Sequence, residues 1–262
     1  MEDYSSAKLK AYVEVRGGVV SLDLSGKGLS RLPDAVTELS EVGKLRLSKN
    51  NLTELSTSIN KLKNLTSLTL LVNKLADLPP EICELKELEF LDVSCNHLVG
   101  LPSSIQKLNK LEWLGLRRNN LKELPAGVGD LMELTRLDVS ENQLVGLPTS
   151  LQRLNKLEVL NLDRNKLREL PAGIGDLIEL RNLSVSNNQL VDLPTSMQKL
   201  GELEKLNLCN NKLTELPAGI GDLKELSWLY VSGNPLNFDA IRFAQKLKNK
   251  GKFINTDIAG ES

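Results

Sequence analysis

The sequence predicts an elongated α/β solenoid from three observations. A 23-residue unit, L-x-x-L-x-L-x-x-N-x-L followed by L-P-x-x-I-x-x-L, recurs ten times without insertion or deletion. Its first half alternates apolar and polar residues, and its second half has apolar residues three or four positions apart. A fixed period of this size is typical of a solenoid, in which each unit buries its apolar face only against its neighbours. The central leucines of the units are Leu22, Leu45, Leu68, Leu91, Leu114, Leu137, Leu160, Leu183, Leu206 and Leu229.

The alternating half of each unit predicts a β-strand with one buried face. Because the spacing is identical in every unit, the strands are expected to stack in parallel. The second half, for example residues 124–131, predicts a short helical or 3₁₀ turn with proline near its start. Strands pack about 4.8 Å apart, whereas helical turns need more room. We therefore expect the sheet on the concave side of an arc and the turns on its convex side.

One asparagine per unit falls where the chain leaves the strand. Backbone groups buried at such a turn need hydrogen-bond partners, and an amide side chain can both donate and accept. We therefore interpret these residues as a structural asparagine ladder that runs from unit to unit. The first unit has Lys27 at this position, which suits an end without a preceding unit. The ladder comprises Asn50, Asn73, Asn96, Asn119, Asn142, Asn165, Asn188, Asn211 and Asn234.

Three segments carry a resemblance to a known family: LDLSGKGLSRLP, LTLLVNKLADLPPEICELKEL and LNLDRNKLRELPAGIGDLIEL. They resemble the leucine-rich-repeat (LRR) family. The 23-residue length with LPxxIxxL resembles its intracellular Ras-group type, which occurs in Ras-pathway scaffolds and suppressors. The resemblance covers roughly residues 19–236. It implies a leucine-rich-repeat horseshoe whose concave sheet binds proteins, and it transfers no catalytic residue.

The two ends are expected to differ from the repeats, because a solenoid needs polar outer surfaces at its termini. We predict an N-terminal cap over 1–18 with a helix over 4–16, ten repeats over 19–236, a C-terminal capping helix over 237–254 and a flexible tail over 255–262. The alternative for the C-terminal helix is that it binds a partner. Its amphipathic pattern puts Ile241, Phe243, Ala244 and Leu247 on one face and Lys246, Lys248 and Lys250 on the other.

Composition argues for a cytoplasmic binding protein rather than an enzyme. The 33 Lys and Arg nearly balance the 34 Asp and Glu, so nucleic acid is an unlikely partner. The three cysteines form no CxxC pair, the first residues are charged, and no apolar run is long enough to span a membrane. The single histidine, His97, has no cysteine at metal-ligand spacing, and nucleotide-binding and nucleophile motifs are absent. We expect no metal, no cofactor and no catalytic residue.

The concave face has a candidate binding surface. Period 2 points Phe90 and Trp113 outward on adjacent strands, where their side chains can touch. Arg136 follows on the next strand and is expected to stack over Trp113. Large aromatics and arginine, rimmed by mixed charge, are typical of interface hot spots. The candidate partner-binding residues are Leu71, Phe90, Asp92, Trp113, Arg117, Arg118, Arg136, Asp138, Trp228 and Tyr230. For Trp228 and Tyr230 the alternative is packing beneath the C-terminal cap.

A second, 46-residue period allows neighbouring repeats to be compared. Residues 103–148 and 149–194 differ mainly on or beside the strands, whereas exposed convex positions such as Asp130/Asp176 are unchanged. We interpret this contrast as diversification of the concave face for binding; the alternative is random drift. The substantial differences at the strands are Trp113/Val159, Gly115/Asn161, Arg117/Asp163, Thr135/Arg181, Arg136/Asn182, Asp138/Ser184 and Glu141/Asn187.

Together these patterns predict a non-enzymatic module or scaffold that binds a protein partner on its concave face. One alternative is an innate-immune recognition protein that binds a microbial surface molecule. Another is a sensor or regulatory segment of a larger signalling protein. The sequence leaves the partner and the oligomeric state open.

Overall fold

The computed structural model describes residues 6–249 and 251–255. Over these residues the chain forms one twelve-stranded open sheet, in which the strands follow one another in sequence order. Strand β1 pairs antiparallel with β2, and every later pair is parallel. The strands are β1 Val13–Arg16, β2 Val19–Asp23, β3 Val42–Arg46, β4 Ser67–Thr69, β5 Phe90–Asp92, β6 Trp113–Gly115, β7 Arg136–Asp138, β8 Val159–Asn161, β9 Asn182–Ser184, β10 Lys205–Asn207, β11 Trp228–Tyr230 and β12 Phe253–Asn255.

Short 3₁₀ turns form the opposite side of the solenoid. Most of them follow a proline in extended conformation and end before a leucine. The shorter turn Ile105–Lys107 instead follows Ser104. The arrangement confirms the predicted fold class. The turns are Asp34–Glu38, Thr57–Lys61, Pro80–Glu84, Ile105–Lys107, Ala126–Asp130, Thr149–Arg153, Ala172–Asp176, Thr195–Lys199 and Ala218–Asp222.

The core lies between sheet and turns as one continuous stack of leucines. The repeat leucine of each strand from β2 to β11 is buried, and so are most of the other leucines of the repeats. Each ladder asparagine makes the same three bonds. At Asn119, for example, Oδ1 accepts from the Leu98 N–H (3.0 Å), and Nδ2 donates to the carbonyls of Leu116 (3.0 Å) and Val93 (3.1 Å). One residue thus joins its own repeat to the preceding one.

The residue before each ladder asparagine takes a left-handed backbone. The φ values lie between 53° and 58° at the non-glycine positions. Side chains other than glycine and asparagine rarely adopt this conformation, and β-branched Val72 (φ 58°) is the most strained of them. The repeated hydrogen bonds therefore impose this turn conformation, because most of the residues at these positions do not favour it by themselves. The positions are Lys49, Val72, Cys95, Arg118, Glu141, Arg164, Asn187 and Asn210.

The 46-residue period has a packing cause on the convex side. We call repeats with an A-G-x-G-D turn glycine-type and those with an S-x-Q-K or S-x-Q-R turn serine-type. A Cβ on Gly129 would overlap the Ser150 backbone of the next repeat, and Gly175 meets Ser196 in the same way. The Ser150 hydroxyl also donates to the Ala126 carbonyl at 2.7 Å. A glycine-type turn therefore receives the serine-type turn that follows it.

Charge follows the same alternation. Acidic residues of one repeat pair with basic residues 23 positions later, and the pairs recur at every second interface. The ion pairs are Glu84–Lys107 (3.0 Å), Glu87–Lys110 (2.6 Å), Asp130–Arg153 (2.7 Å), Glu133–Lys156 (2.6 Å) and Asp176–Lys199 (3.1 Å). Exposed pairs of this kind each contribute about 0–1 kcal/mol, so they define the order of the repeats more than the stability of the fold.

The ends differ from the expectation. Instead of a helix over 4–16, helix α1 (Ser6–Leu9) and a 3₁₀ turn (Lys10–Tyr12) lead into β1, and residues 1–5 lie outside the described part. Helix α2 covers Phe238–Asn249 and buries Ala240, Ala244 and Leu247. The expected capping helix over 237–254 is therefore too long, because β12 follows it. The expected tail begins inside β12, at Asn255; residue 250 and residues 256–262 lie outside the described residues.

Candidate functional site

The concave surface consists of two rows of outward-facing residues. In each three-residue strand the central leucine points into the core and its two neighbours point out, as period 2 requires. Parallel pairing is in register, so equivalent residues of successive strands lie side by side. We call the residues before the buried leucine the first row and those after it the second row. Phe90 and Trp113 belong to the first row, whereas Asp92 and Gly115 belong to the second.

Phe90 and Trp113 form a stacked pair. Their ring centroids lie 4.4 Å apart with an interplanar angle of 7°, so the predicted contact of these side chains is present. The Trp113 indole also lies across Gly115, two residues further along β6, where a Cβ would overlap the ring. Both aromatic rings remain half-exposed. Phe90, Trp113 and Gly115 are called the aromatic patch below.

Gly115 is the residue of this patch that the sequence reasoning missed. The signal was present, because Trp113/Val159 and Gly115/Asn161 differ together between otherwise similar repeats. The two differences are linked, because the large ring of Trp113 occupies the space that a side chain at position 115 would fill. Both strands are paired on each side within the sheet, which defines the backbone positions of the aromatic patch.

Arg136 does not stack on Trp113, contrary to the expectation. Within residues 6–249 and 251–255 the cation–π contacts join Lys27 to Tyr12, Lys205 to Tyr230 and Arg242 to Phe238. Arg136 is exposed, and no ion pair of the described chain holds it. An exposed cation–π contact stabilises by only about 0.5–1 kcal/mol, which is less than the side-chain entropy that ordering an arginine costs, up to about 2 kcal/mol.

Arg117 is engaged by the next repeat. Its Nε and Nη2 atoms donate to Glu141 Oε1 at 3.0 and 2.6 Å. This hydrogen bond raises the pKa of Arg117 and lowers the pKa of Glu141. Arg118, one residue later, is exposed and takes part in no ion pair among the described residues. Arg118 and Arg136 therefore remain open to a ligand, whereas Arg117 is already paired.

The side chains of Asp92 and Asp138 each form a hydrogen bond with the backbone just after their strand. The Oδ1 atom of each accepts the backbone N–H two residues later, at Ser94 and Ser140, with both distances 2.9 Å. These bonds hold the end of the strand. Both side chains lie in the second row beside the aromatic patch.

The surface continues from Leu71 and Val72 into a shallow depression. Leu71 is half-buried, and Val72 is 43% exposed. Val72, Cys95, His97, Arg118 and Asn120 line an open depression of about 470 Å³ together with two ladder asparagines. Its wall is apolar on one side and basic on the other.

The second aromatic cluster lies at the C-terminal end of the sheet. Trp228 is 44% exposed, so packing beneath the C-terminal helix does not describe it. Tyr230 is half-buried and meets Phe253 of β12, with centroids 5.7 Å apart at 53°. Lys205 Nζ lies 5.5 Å from the Tyr230 ring centroid. Phe253 was not predicted as part of this cluster, because β12 itself was not.

Constancy of the convex face weakens the contrast between the two faces. Asp130 and Asp176 are exposed, yet each forms an ion pair with the following repeat. The fact that these two positions do not vary therefore has a structural cause. The hypothesis that the concave face diversified for binding then depends only on the differences among the concave residues.

Among the described residues, no group of three or more His, Cys, Asp or Glu side chains could hold a metal ion. No described helix has the length and apolar character needed to cross a lipid bilayer.

Comparison with known families agrees with this geometry. A family profile described as a leucine-rich repeat region matches residues 105–189, and a leucine-rich repeat profile matches residues 63–121 and 178–236. Together these matches run without a break over residues 63–236, more than half of the chain. The chain belongs to the leucine-rich-repeat family. A search of curated protein sequences gives no significant match.

Solved structures of other leucine-rich-repeat proteins share the fold. A TDR receptor has a TM-score of 0.71 and 28% identity over 82% of this chain and 43% of that one. The LRR ectodomain of the Arabidopsis thaliana receptor kinase GASSHO1/SCHENGEN3, solved in complex with CASPARIAN STRIP INTEGRITY FACTOR 2, has a TM-score of 0.60 and 29% identity over 90% and 35% of the two chains. This chain spans less than half the length of either.

A third similar structure shows the fold alone. The functional domain of InlJ from Listeria monocytogenes has a TM-score of 0.65 and 24% identity, over 90% of this chain and 53% of that one. Leucine-rich-repeat proteins commonly bind other proteins. The chain therefore shares the fold of known protein-interaction modules.

Proposed function

We propose that this chain is a non-enzymatic binding module that holds a protein partner on its concave face through the aromatic patch. The observation that carries the proposal is the half-exposed Phe90–Trp113 stack over Gly115. A flat, rigid aromatic surface loses little entropy on binding and contributes a large contact area. The partner would bury these rings against an apolar surface of its own.

The charges around the aromatic patch support an acidic rim on the partner. Arg118 and Arg136 are exposed and hold no ion pair in the described chain. Asp92 and Asp138 are half-exposed and each keep one oxygen outside the bonds described above. Carboxylates of a partner would meet the two arginines, and a matching basic group would meet the aspartates. Such complementarity sets specificity and association rate more than affinity.

We further propose a cytoplasmic scaffold of the intracellular Ras-group type, acting in signalling. The 23-residue period with LPxxIxxL supports the type. Free thiols at Cys83, Cys95 and Cys209, two of them half-exposed, suit a reducing compartment. A regulatory segment of a larger signalling protein would use the same surface, and its partner would then be another part of its own chain.

An affinity capture from native lysate tests the protein-binding role. We expect wild type to retain a protein that a Phe90→Ala, Trp113→Ala, Arg136→Ala variant loses. The matched control is Met132→Ala, Ile178→Ala, which removes two exposed apolar side chains outside the strands. Circular dichroism checks that all three proteins are folded.

The captured protein is then purified and titrated against each variant by calorimetry. Loss of a buried aromatic anchor is expected to weaken binding by about tenfold or more. Equal affinity for wild type and the triple variant, together with a loss in the control variant, would move the binding surface to the convex side.

A further inference from the structure

The C-terminal half of the concave face carries a regular polar row. In the second row, five adjacent strands each present one hydrogen-bonding residue beside its neighbour. All five contain an amide or a hydroxyl group, and none carries a formal charge. The row is Asn161 on β8, Ser184 on β9, Asn207 on β10, Tyr230 on β11 and Asn255 on β12.

Hydrogen bonds orient three members of this row, Asn161, Ser184 and Asn207. Asn207 Nδ2 donates to Ser184 Oγ at 3.0 Å, and Ser184 Oγ donates to Asp163 Oδ1 at 2.7 Å. Asn161 Oδ1 accepts the Asp163 N–H at 3.1 Å, and Asn207 Oδ1 accepts the Cys209 N–H at 3.2 Å. The Asn161 amide N–H groups donate to no described residue. The row therefore presents fixed donors to whatever lies on the sheet.

Aromatic side chains border the row at one end. Trp228 and Phe253 are neighbours in the first row and are 44% and 54% exposed. Tyr230, the member of the row on β11, packs its ring against Phe253. Exposed ring faces next to fixed amides combine an apolar platform with directional hydrogen bonds.

Three charged residues lie near the row, Asp163, Arg164 and Lys205, and Arg164 is exposed without an ion pair among the described residues. Asp163 Oδ1 accepts from both Ser184 Oγ and the Ser186 N–H, and Lys205 Nζ lies over the Tyr230 ring. The row itself carries no formal charge, so it would recognise a ligand mainly through directional hydrogen bonds rather than through ion pairs. The chemistry that matches it is a neutral molecule rich in hydroxyl groups.

We propose that β8–β12 bind a linear, neutral, β-linked oligosaccharide laid across the strands with about one sugar per strand. Strands repeat every ~4.8 Å, which is close to the length of one pyranose in an extended chain. A sugar hydroxyl both donates and accepts, as the amides of Asn161 and Asn207 do. The apolar C–H face of a pyranose fits the exposed ring of Trp228. The site is separate from the aromatic patch on β5 and β6.

The two tryptophans of the chain permit a site-specific test. A Trp113→Phe variant leaves Trp228 as the reporter, and a Trp228→Phe variant leaves Trp113. Each full-length variant is titrated with cellohexaose, which is extended, and with maltohexaose, which coils. We expect a saturable change in Trp228 fluorescence with cellohexaose and no change at Trp113. Maltohexaose is expected to bind at least about tenfold more weakly, because it cannot follow the strand spacing.

Side-chain variants complete the experiment in the Trp113→Phe background. Asn161→Ala removes unengaged donors and is expected to weaken cellohexaose binding by roughly tenfold. Asn155→Ala, an exposed asparagine on the convex side, is the matched control and should leave binding unchanged. No saturable response at Trp228, equal binding of the two hexasaccharides, or equal loss in both asparagine variants would overturn the proposal. A protein captured through Trp228 that cellohexaose fails to displace would overturn it as well. The aromatic patch could still bind its protein in each of these cases.

Discussion

Removing one amide from the asparagine ladder should destabilise the whole solenoid. Asn119→Ala deletes the acceptor of the Leu98 N–H and one of two donors to the carbonyls of Val93 and Leu116. The carbonyls are not left bare, because Asn96 still donates to Val93 O and Asn142 still donates to Leu116 O. The Leu98 N–H loses its partner completely.

The expected loss of stability depends on how completely each of the three backbone groups loses its hydrogen bonds. An unsatisfied buried N–H costs about 1–3 kcal/mol, and each carbonyl that keeps one donor loses about 0.5–1 kcal/mol. The free energy of unfolding is therefore expected to fall by roughly 2–5 kcal/mol. Urea unfolding followed by circular dichroism measures it, provided that the m-value stays unchanged.

The matched control for this experiment is the next residue in the chain. Asn120→Ala removes the same side chain, whose Nδ2 donates to the His97 carbonyl at only 3.4 Å, and should cost less than about 0.5 kcal/mol. If Asn119→Ala costs no more than Asn120→Ala, the ladder is not what holds the repeats together, and the reasoning fails.

Three further variants probe other features. Val72→Asn relieves a left-handed β-branched residue and should raise the free energy of unfolding by about 1 kcal/mol, which urea unfolding checks; no gain would mean that the turn is not strained. Gly115→Ala should displace the Trp113 ring from the strand and change the near-ultraviolet circular dichroism of the protein. It should also weaken binding of the captured partner by roughly tenfold; an unchanged spectrum would contradict the packing of Trp113 on Gly115. Arg117→Met should be less stable than wild type at neutral pH, because the hydrogen bond from Arg117 lowers the Glu141 pKa below its ordinary value of 4.5. The difference should shrink as the pH falls through that lowered pKa, and a difference constant with pH would exclude the pair as its source.

The repeated part of the fold could be predicted because each unit supplies the same local pattern. A strand of one buried leucine with two outward neighbours and a 3₁₀ turn after proline follow from periods 2 and 3 to 4. The non-repeated ends could not be placed this way. At the N-terminus the signal was present: Gly17 and Gly18, with φ values of 57° and 80°, join β1 and β2. Two glycines between β-forming runs predict a hairpin, and the helical interpretation overlooked them.

Of the contacts among the candidate site residues, the sequence predicted the Phe90–Trp113 pair and missed the others. The 23-residue interval puts Phe90 beside Trp113, whereas the parallel stacking needs Gly115 beneath the indole. The sequence predicts a contact between Arg136 and Trp113 because the two residues are neighbours in the first row. Being neighbours does not determine whether a long charged side chain packs on the ring or extends into solvent. For Trp228 the sequence leaves packing beneath the cap as an alternative, because the repeat pattern does not predict β12. Side-chain contacts at single positions depend on rotamers and on the ends of the sheet, which periodicity does not encode.

The interlocking of glycine-type and serine-type turns limits how the gene for such a chain can lengthen or shorten. Loss of one unit, residues 126–148, would put Lys107 next to Arg153 and set two serine-type turns against each other. Loss of two units, residues 103–148, would instead bring Glu84 opposite Arg153 and preserve the alternation. Insertions and deletions should therefore be tolerated in steps of two units, and an engineer extending the binding surface would graft pairs of repeats rather than single ones.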